Sequence, residues 1–174
     1  MGRSRLWSQA LKLEFFTVDE PYIQYLKKTD PKVPNNYSST KPFIGILFNI
    51  HGLDYIAPLT SAKPKHKKIK NKNPAALKIF EHNMSQNLLA IVLLNNMIPV
   101  KPSNIKKLNM LSFSVKYKSL LQKEINYIRT HENRLLQKAQ HLYSLVTDKQ
   151  VKSFINISCD FKALEIVSKK YKNN

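Results

Sequence analysis

The sequence predicts one α+β domain, an antiparallel sheet or small barrel (a twisted antiparallel sheet) partly wrapped by helices. Three observations carry that expectation. Short runs of β-formers fill the chain to about Val100, a helical spacing of three, four and seven takes over afterwards, and no long linker separates the two parts.

Met1 to Lys12 has no strong period and is set aside as an N-terminal extension, leaving residues 13–174 as the domain. Leu13 to Val18 alternates weakly and carries Phe15, Phe16 and Val18, which suits a first strand. Asp19 can cap a helix whose first turn holds Glu20 and Pro21 and whose inner stripe is Tyr22, Ile23 and Leu26. Asp30-Pro31 stops it, and Lys32 to Lys41 reads as a loop. Phe43 to Ile50 and Tyr55 to Leu59 form a hairpin by pattern, joined through His51-Gly52-Leu53-Asp54. Thr60 to Lys72 is then a basic loop. Leu77 to Phe80, Leu88 to Leu94 and Met97 to Val100 read as further strands, the middle one apolar enough to be covered on both faces. Tyr117, Leu121, Ile125, Ile128, Leu135, Ala139, Leu142 and Val146 share a face of one long helix or two consecutive ones. Asp160 caps a last helix with Phe161, Leu164, Val167 and Tyr171 inside.

The chain has 174 residues with 29 Lys or Arg against 11 Asp or Glu, a formal net charge of +18. So large a surplus repels itself and is neutralised best by a polyanion, which makes nucleic acid the leading partner; a merely solvated lysine-rich surface is the plain alternative. Cys159 is the sole cysteine, which excludes an internal disulfide and a Cys-based zinc site and fits a reducing cytoplasm. No apolar run approaches the roughly 20 residues of a membrane helix. The five histidines, at 51, 66, 82, 131 and 141, lack metal-ligand spacing and read as surface residues, and the acidic residues are too scattered for a magnesium site. Neither a metal nor a cofactor is expected, and a nuclease built from this chain would work without one.

RNA permits that chemistry, because its 2′-hydroxyl can attack the adjacent phosphate. The protein must orient that hydroxyl, move protons and neutralise the phosphorane oxygens. Two segments hold suitable groups: Tyr37-Ser38-Ser39-Thr40-Lys41 before the first hairpin strand, and Thr60-Ser61-Ala62-Lys63 after the second. Hairpin pairing brings both to one end. By residue type alone the lysines could equally be solvated and Tyr37 a packing aromatic.

The run Asp30-Pro31-Lys32-Val33-Pro34-Asn35, then Tyr37, Lys41, Phe43-Ile44-Gly45-Ile46, Gly52, Tyr55-Ile56-Ala57-Pro58-Leu59-Thr60-Ser61 and Lys63, resembles the ToxN/AbiQ endoribonuclease toxins of type III toxin-antitoxin systems. Lys78-Ile79, Met97-Ile98-Pro99 and the segment from Tyr117-Lys118 through Tyr127-Ile128-Arg129 resemble them as well, so the likeness spans about Leu13 to Leu145. It implies a Kid/MazF-like fold and metal-independent RNA cleavage that leaves 2′,3′-cyclic phosphate and 5′-hydroxyl ends. It also implies an RNA antitoxin, a repeat transcript that the toxin processes into inhibitory pseudoknots, in a protein-RNA hetero-oligomer serving abortive defence against phage.

By the same resemblance Ser61 and Thr60 contact the scissile phosphate and the attacking hydroxyl, Lys63 and Lys41 stabilise negative charge, and Tyr37 orients the nucleotide or assists proton transfer. The loop from Pro34 to Tyr37 is shorter than in some relatives, while the spacing from Tyr37 to Lys41 is kept. Lys65, Lys67, Lys68, Lys70 and Lys72 are read as RNA contacts, with Lys118 and Arg129 reaching RNA from the helix and Tyr117 buried. Phe43 is either a base-stacking neighbour or a core strand residue. The rival reading is a non-enzymatic basic RNA-binding protein, which explains the charge and leaves the Tyr37, Lys41, Thr60, Ser61 and Lys63 set unexplained.

Overall fold

A computed structural model describes residues 13–35, 44–82 and 84–172. The side chains of Ile44 and Ser85 are outside that description, and so are Tyr37, Lys41 and Phe43. The strands are β1 (Phe15–Val18), β2 (Ile44–Ile50), β3 (Leu53–Ser61), β4 (Ala76–Glu81), β5 (Met84–Leu93), β6 (Ile98–Pro99) and β7 (Ile105–Lys107). The helices are α1 (Glu20–Lys27), α2 (Val115–Thr130), α3 (Glu132–Thr147), α4 (Lys152–Ile157) and α5 (Phe161–Lys170).

The seven strands make one antiparallel sheet in the order β4-β5-β3-β2-β1-β7, with β6 also on β3. The sheet is not closed among the described residues, so the small-barrel expectation gives way to an open sheet with β4 and β7 at its edges. Helix α2 instead runs from the β4 edge to the residue that leads into β1. Its Tyr127 ring meets Phe80 of β4, and its Arg129 Nε donates to the Leu13 carbonyl beside β1 at 2.8 Å.

Strand β3 organises the molecule because different lengths of it serve different partners. Leu53 to Pro58 pair with β2, Tyr55 and Ile56 also pair with β6, and Leu59 to Ser61 pair with β5. Pro58 has no N–H to give and falls in the gap between the β6 and β5 pairings. Opposite it, a Cβ on Gly45 would lie 2.7 Å from the Ala57 carbonyl, so only glycine lets the two strands approach there. Tyr55 to Pro58 are buried in succession, because helices and sheet cover both faces.

The hairpin turn is tighter than the four-residue connection expected. Only His51 and Gly52 turn, both at positive φ (50° and 83°), while Leu53 and Asp54 join β3. Asn49 compensates the histidine's awkward backbone by accepting the Gly52 N–H and donating to Asp54. Asp19 stands at the start of α1, yet its side chain makes no cap bond and faces Lys106 instead. Asp160 does cap α5, accepting from the Ala163 N–H.

The helical run after residue 114 is two helices, broken at His131, whose ring stacks on Tyr127. In α5 the buried positions are Phe161, Leu164, Glu165 and Ser168, whereas Val167, and Tyr171 just past the helix end, are half-buried. The polar pair is inside because tyrosine hydroxyls are waiting there. Tyr22 donates to the Pro99 carbonyl and accepts from the Ser168 hydroxyl, and Tyr55 and Tyr143 both donate to Glu165 at 2.6 Å. The core joins all of these elements, from Phe15 and Ile46 to Leu135 and Leu164.

Candidate nucleic-acid interface

Thr60 and Ser61 are the last two residues of β3, in register with Ile91 and Ala90 of β5. They are therefore strand residues, and the expected loop from Thr60 starts two residues later. Because successive strand residues face opposite sides, Thr60 is half-buried on one face and Ser61 is exposed on the other. The Ala62 N–H still donates to Leu89, at 3.0 Å, so the ladder holds both hydroxyl residues rigidly up to the point where Lys63 leaves the sheet.

From Lys63 the chain enters a 3-10 turn, Pro64–Lys68. His66 closes it. Its backbone N–H donates to the Lys63 carbonyl at 2.8 Å, and its Nδ1 accepts the Lys63 N–H at 3.1 Å. Only 8% of this residue is exposed, which corrects its reading as a surface histidine. Burial, reinforced by Lys65 and Lys63, pushes the imidazole below its ordinary pKa and favours the neutral ring that the acceptor role of Nδ1 requires.

The loop that follows is positively charged and unusually well fixed. Lys63, Lys65, Lys67, Lys68, Lys70 and Lys72 are all exposed. Three further cations approach its backbone: Lys78 donates to the Lys67 carbonyl, Arg134 to Asn71 and Lys138 to Asn73. Burial, with Arg134 nearby, lowers Lys138 to about 8. From Tyr55 to Phe80 the sequence has no Asp or Glu. The ion pairs of the described residues use Asp19, Glu14, Glu81 and Glu165, all outside this segment. The result is a concentrated positive field at the end of β3. Lys78 shares it through the sheet, since Thr60, Ile91 and Lys78 form one cross-strand row.

Beyond this face, Lys118 is half-buried on α2, whereas the Arg129 guanidinium is engaged at Leu13 and lies 4.0 Å from Glu14. Arg129 thus fastens α2 to the first strand. Tyr117, expected inside, is 36% exposed and sits edge-on to Phe113 at the rim of an open cleft with Lys116, Ser119 and Lys123. The inward stripe of α2 takes Leu121, Glu124, Ile125 and Ile128 instead. Among the described residues, no three His, Cys, Asp or Glu side chains come together to hold a metal, and no helix is long and apolar enough to cross a membrane.

His66, Lys78, Arg134 and Lys138 carry part of this interface without having been singled out for it. A signal for His66 exists in the sequence, as a residue of low charge among lysines at three residues from Lys63. The contribution of Arg134 and Lys138 depends on α3 meeting the loop, which spacing does not reveal.

Residues 14–169 match the family model described as toxin ToxN of type III toxin-antitoxin systems. Among curated proteins, the chain is 33% identical over 158 residues to an endoribonuclease ToxN of Pectobacterium atrosepticum, covering 88% of this chain and 90% of that one. Its fold is similar to the solved structure of AbiQ, a lactococcal anti-phage endoribonuclease of a type III system. The TM-score is 0.83 at 29% identity, over 92% of this chain and 98% of that one. A second similar structure comes from work on type III systems and toxin inhibition by a non-coding RNA pseudoknot. Its TM-score is 0.79 at 28% identity, covering 94% and 100% of the two chains.

Proposed function

Because the chain belongs to the ToxN toxin family of type III toxin-antitoxin systems, we propose that it is an endoribonuclease toxin held in check by an RNA antitoxin. The observation that carries this reading is the end of β3. A hydroxyl, Ser61, and an amine, Lys63, stand exposed where a rigid strand meets a cationic loop without carboxylates.

The chemistry that suits these groups is transesterification without a metal. The substrate's 2′-oxygen bonds to the adjacent phosphorus as its proton leaves, the bond from phosphorus to the 5′-oxygen breaks, and that oxygen takes up a proton. The products are a 2′,3′-cyclic phosphate and a 5′-hydroxyl. Ser61, on the exposed face, holds the phosphate and the attacking hydroxyl, and Lys63 balances the charge that grows on the phosphorane oxygens; Thr60 faces the other side of the strand, so its assignment as a second hydroxyl contact requires the RNA to wrap around the end of β3. Lys41 and Tyr37 are assigned here as the second cation and the nucleotide-orienting or proton-transferring group. In support, β2 begins at Ile44, and Gly45 is opposite Pro58, so β2 starts at the end of β3 that bears Thr60. The loop lysines from Lys65 to Lys72 hold the antitoxin by its phosphates.

Purified protein incubated with single-stranded RNA and excess chelator tests the reading. Cleavage persists, the new 3′ ends resist ligation to a 5′-phosphorylated oligonucleotide until the cyclic phosphate is opened and removed to leave a 3′-hydroxyl, and Ser61→Ala lowers the rate by at least about 10²-fold while keeping RNA affinity. Wild-type cleavage by Ser61→Ala, or products with 5′-phosphates, refutes it.

A further inference from the structure

Past the 3-10 turn the basic loop faces α4 across a cleft of about 440 Å³, lined by Lys68, Lys70, Lys72, Asn73, Pro74 and Phe154. It is open to solvent, a shape that suits a chain laid across it better than an enclosed small molecule. Its composition is particular: three exposed ammonium groups rim an aromatic ring that is half-buried, with a proline beside it. Both walls are fixed. Arg134 and Lys138 secure the loop at the Asn71 and Asn73 carbonyls. Lys32 bonds the Ile155 and Ser158 carbonyls at the end of α4, and Asn95 bonds that of Ile157.

We propose that this cleft is a subsite for one unpaired nucleotide of RNA, with its base on the face of Phe154 and its neighbouring phosphates on Lys68, Lys70 and Lys72. It rests on the RNA reading above and adds a place where a base, and not only the backbone, is held. Phosphate contacts alone are blind to the base. A ring floor gives the base a partner, and single-stranded RNA is gripped characteristically by such stacking inside a positive groove. Because the loop backbone and α4 are set before the RNA arrives, the ordering cost of binding falls mainly on the lysine side chains.

The test uses a 2′-O-methylated oligouridine of fifteen units, which binds but cannot be cut, and a blunt RNA duplex of the same length. Trp7 is the one tryptophan of the chain, so Trp7→Phe with Phe154→Trp places a single fluorophore in the cleft. Expected is quenching on addition of the oligouridine and none with inorganic phosphate. Phe154→Leu, which keeps apolar bulk, binds the oligouridine about tenfold more weakly, the low-to-middle range for one lost stack, and the duplex within twofold of wild type. No quenching, quenching by phosphate alone, or equal losses for both RNAs overturns the subsite. If Phe154→Leu does not fold, the fluorescence result decides alone. Wild-type protein that cuts RNA while the cleft fails leaves the enzyme reading standing; protein that neither cuts nor binds RNA removes both.

Discussion

The two sides of the molecule treat charge in opposite ways. Around α5, a buried carboxylate is fully used: Glu165 accepts from Tyr55 and Tyr143, and Lys162 lies 3.5 Å from its second oxygen and over the Tyr143 ring. Around the segment from Lys63 to Asn73, cations gather with no carboxylate of their own segment to answer them. Pairing in the first region holds the fold together. In the second, the like charges repel, and the loop keeps its shape through the turn that His66 closes and through the cations that bond its backbone from behind. A partner is thus built into one region and missing from the other.

The comparison breaks most visibly at Glu165. Burial and the adjacent carboxylate both push the Tyr55 hydroxyl well above its ordinary pKa, so it stays a donor at any working pH. Replacing Glu165 with Ala removes the acceptor of two buried hydroxyls, leaving Tyr143 with Lys162 alone and Tyr55 without the carboxylate; a lost buried partner costs about 1–3 kcal/mol. The expected loss is about 3 kcal/mol, seen as a Tm lower by roughly 10 °C. RNA cleavage at a temperature where the variant is folded should be unchanged, because the network lies away from Ser61. A Tm within 2 °C of wild type would mean that the network adds nothing to stability.

Glu124 sharpens the same contrast from inside the fold. It is 3% exposed on α2, and burial raises its carboxyl to about 7. Between its ordinary value near 4.5 and about 7, the folded state holds a proton that the unfolded state has lost. Stability therefore falls as pH rises through that window, by about 2–3 kcal/mol once it is passed. Glu124→Gln should be more stable than wild type at pH 8 and no better at pH 4.5, read from denaturant midpoints at the two pH values. A variant no more stable at pH 8 would show that the buried carboxylate is compensated.

These residues also mark what the sequence could and could not display. The strand periods and the Phe161 and Leu164 stripe are legible because apolar spacing is local. Strand β7 is not, since Ile105-Lys106-Lys107 is two-thirds charged and becomes a strand only by pairing with β1. Helix α4 is only six residues long, too short for a period to register, and it carries the Phe154 of the cleft. In the interface, Ser61 and Lys63 were visible through a motif, but the strand around Ser61 was not, because its order comes from β5, nearly thirty residues away. Glu165 and Ser168 on an inner helix face break the apolar pattern, and only the tyrosines opposite explain them.

On the cationic side the expectation reverses: substitution should leave stability intact and alter binding. Lys70→Ala with Lys72→Ala removes two exposed charges from a self-repelling group, so Tm should hold within about 2 °C or rise slightly. Against single-stranded RNA, the slope of log affinity on log salt should become shallower by about 0.7 for each lysine that meets a phosphate, near 1.4 for the pair. Equal slopes for variant and wild type would return these lysines to plain solvation.

The smallest effect expected is at His66, where the two regimes meet, since it is a buried group inside the cationic loop. Its pKa is lowered, so between its folded value and the ordinary value near 6.5 the unfolded chain binds a proton that the folded chain refuses. Stability therefore rises with pH across that window and is lost as pH falls through it. Protonation also turns Nδ1 from acceptor to donor and ejects the Lys63 N–H, which loosens the residue proposed to face the phosphorane. Cleavage should decline on the acid side with an inflection below 6.5, and His66→Asn, whose side-chain carbonyl can still accept an N–H but does not titrate there, should flatten that limb while retaining activity at pH 7.5. An acid limb that persists unchanged in His66→Asn would assign it to another group and leave the 3-10 turn a purely structural element.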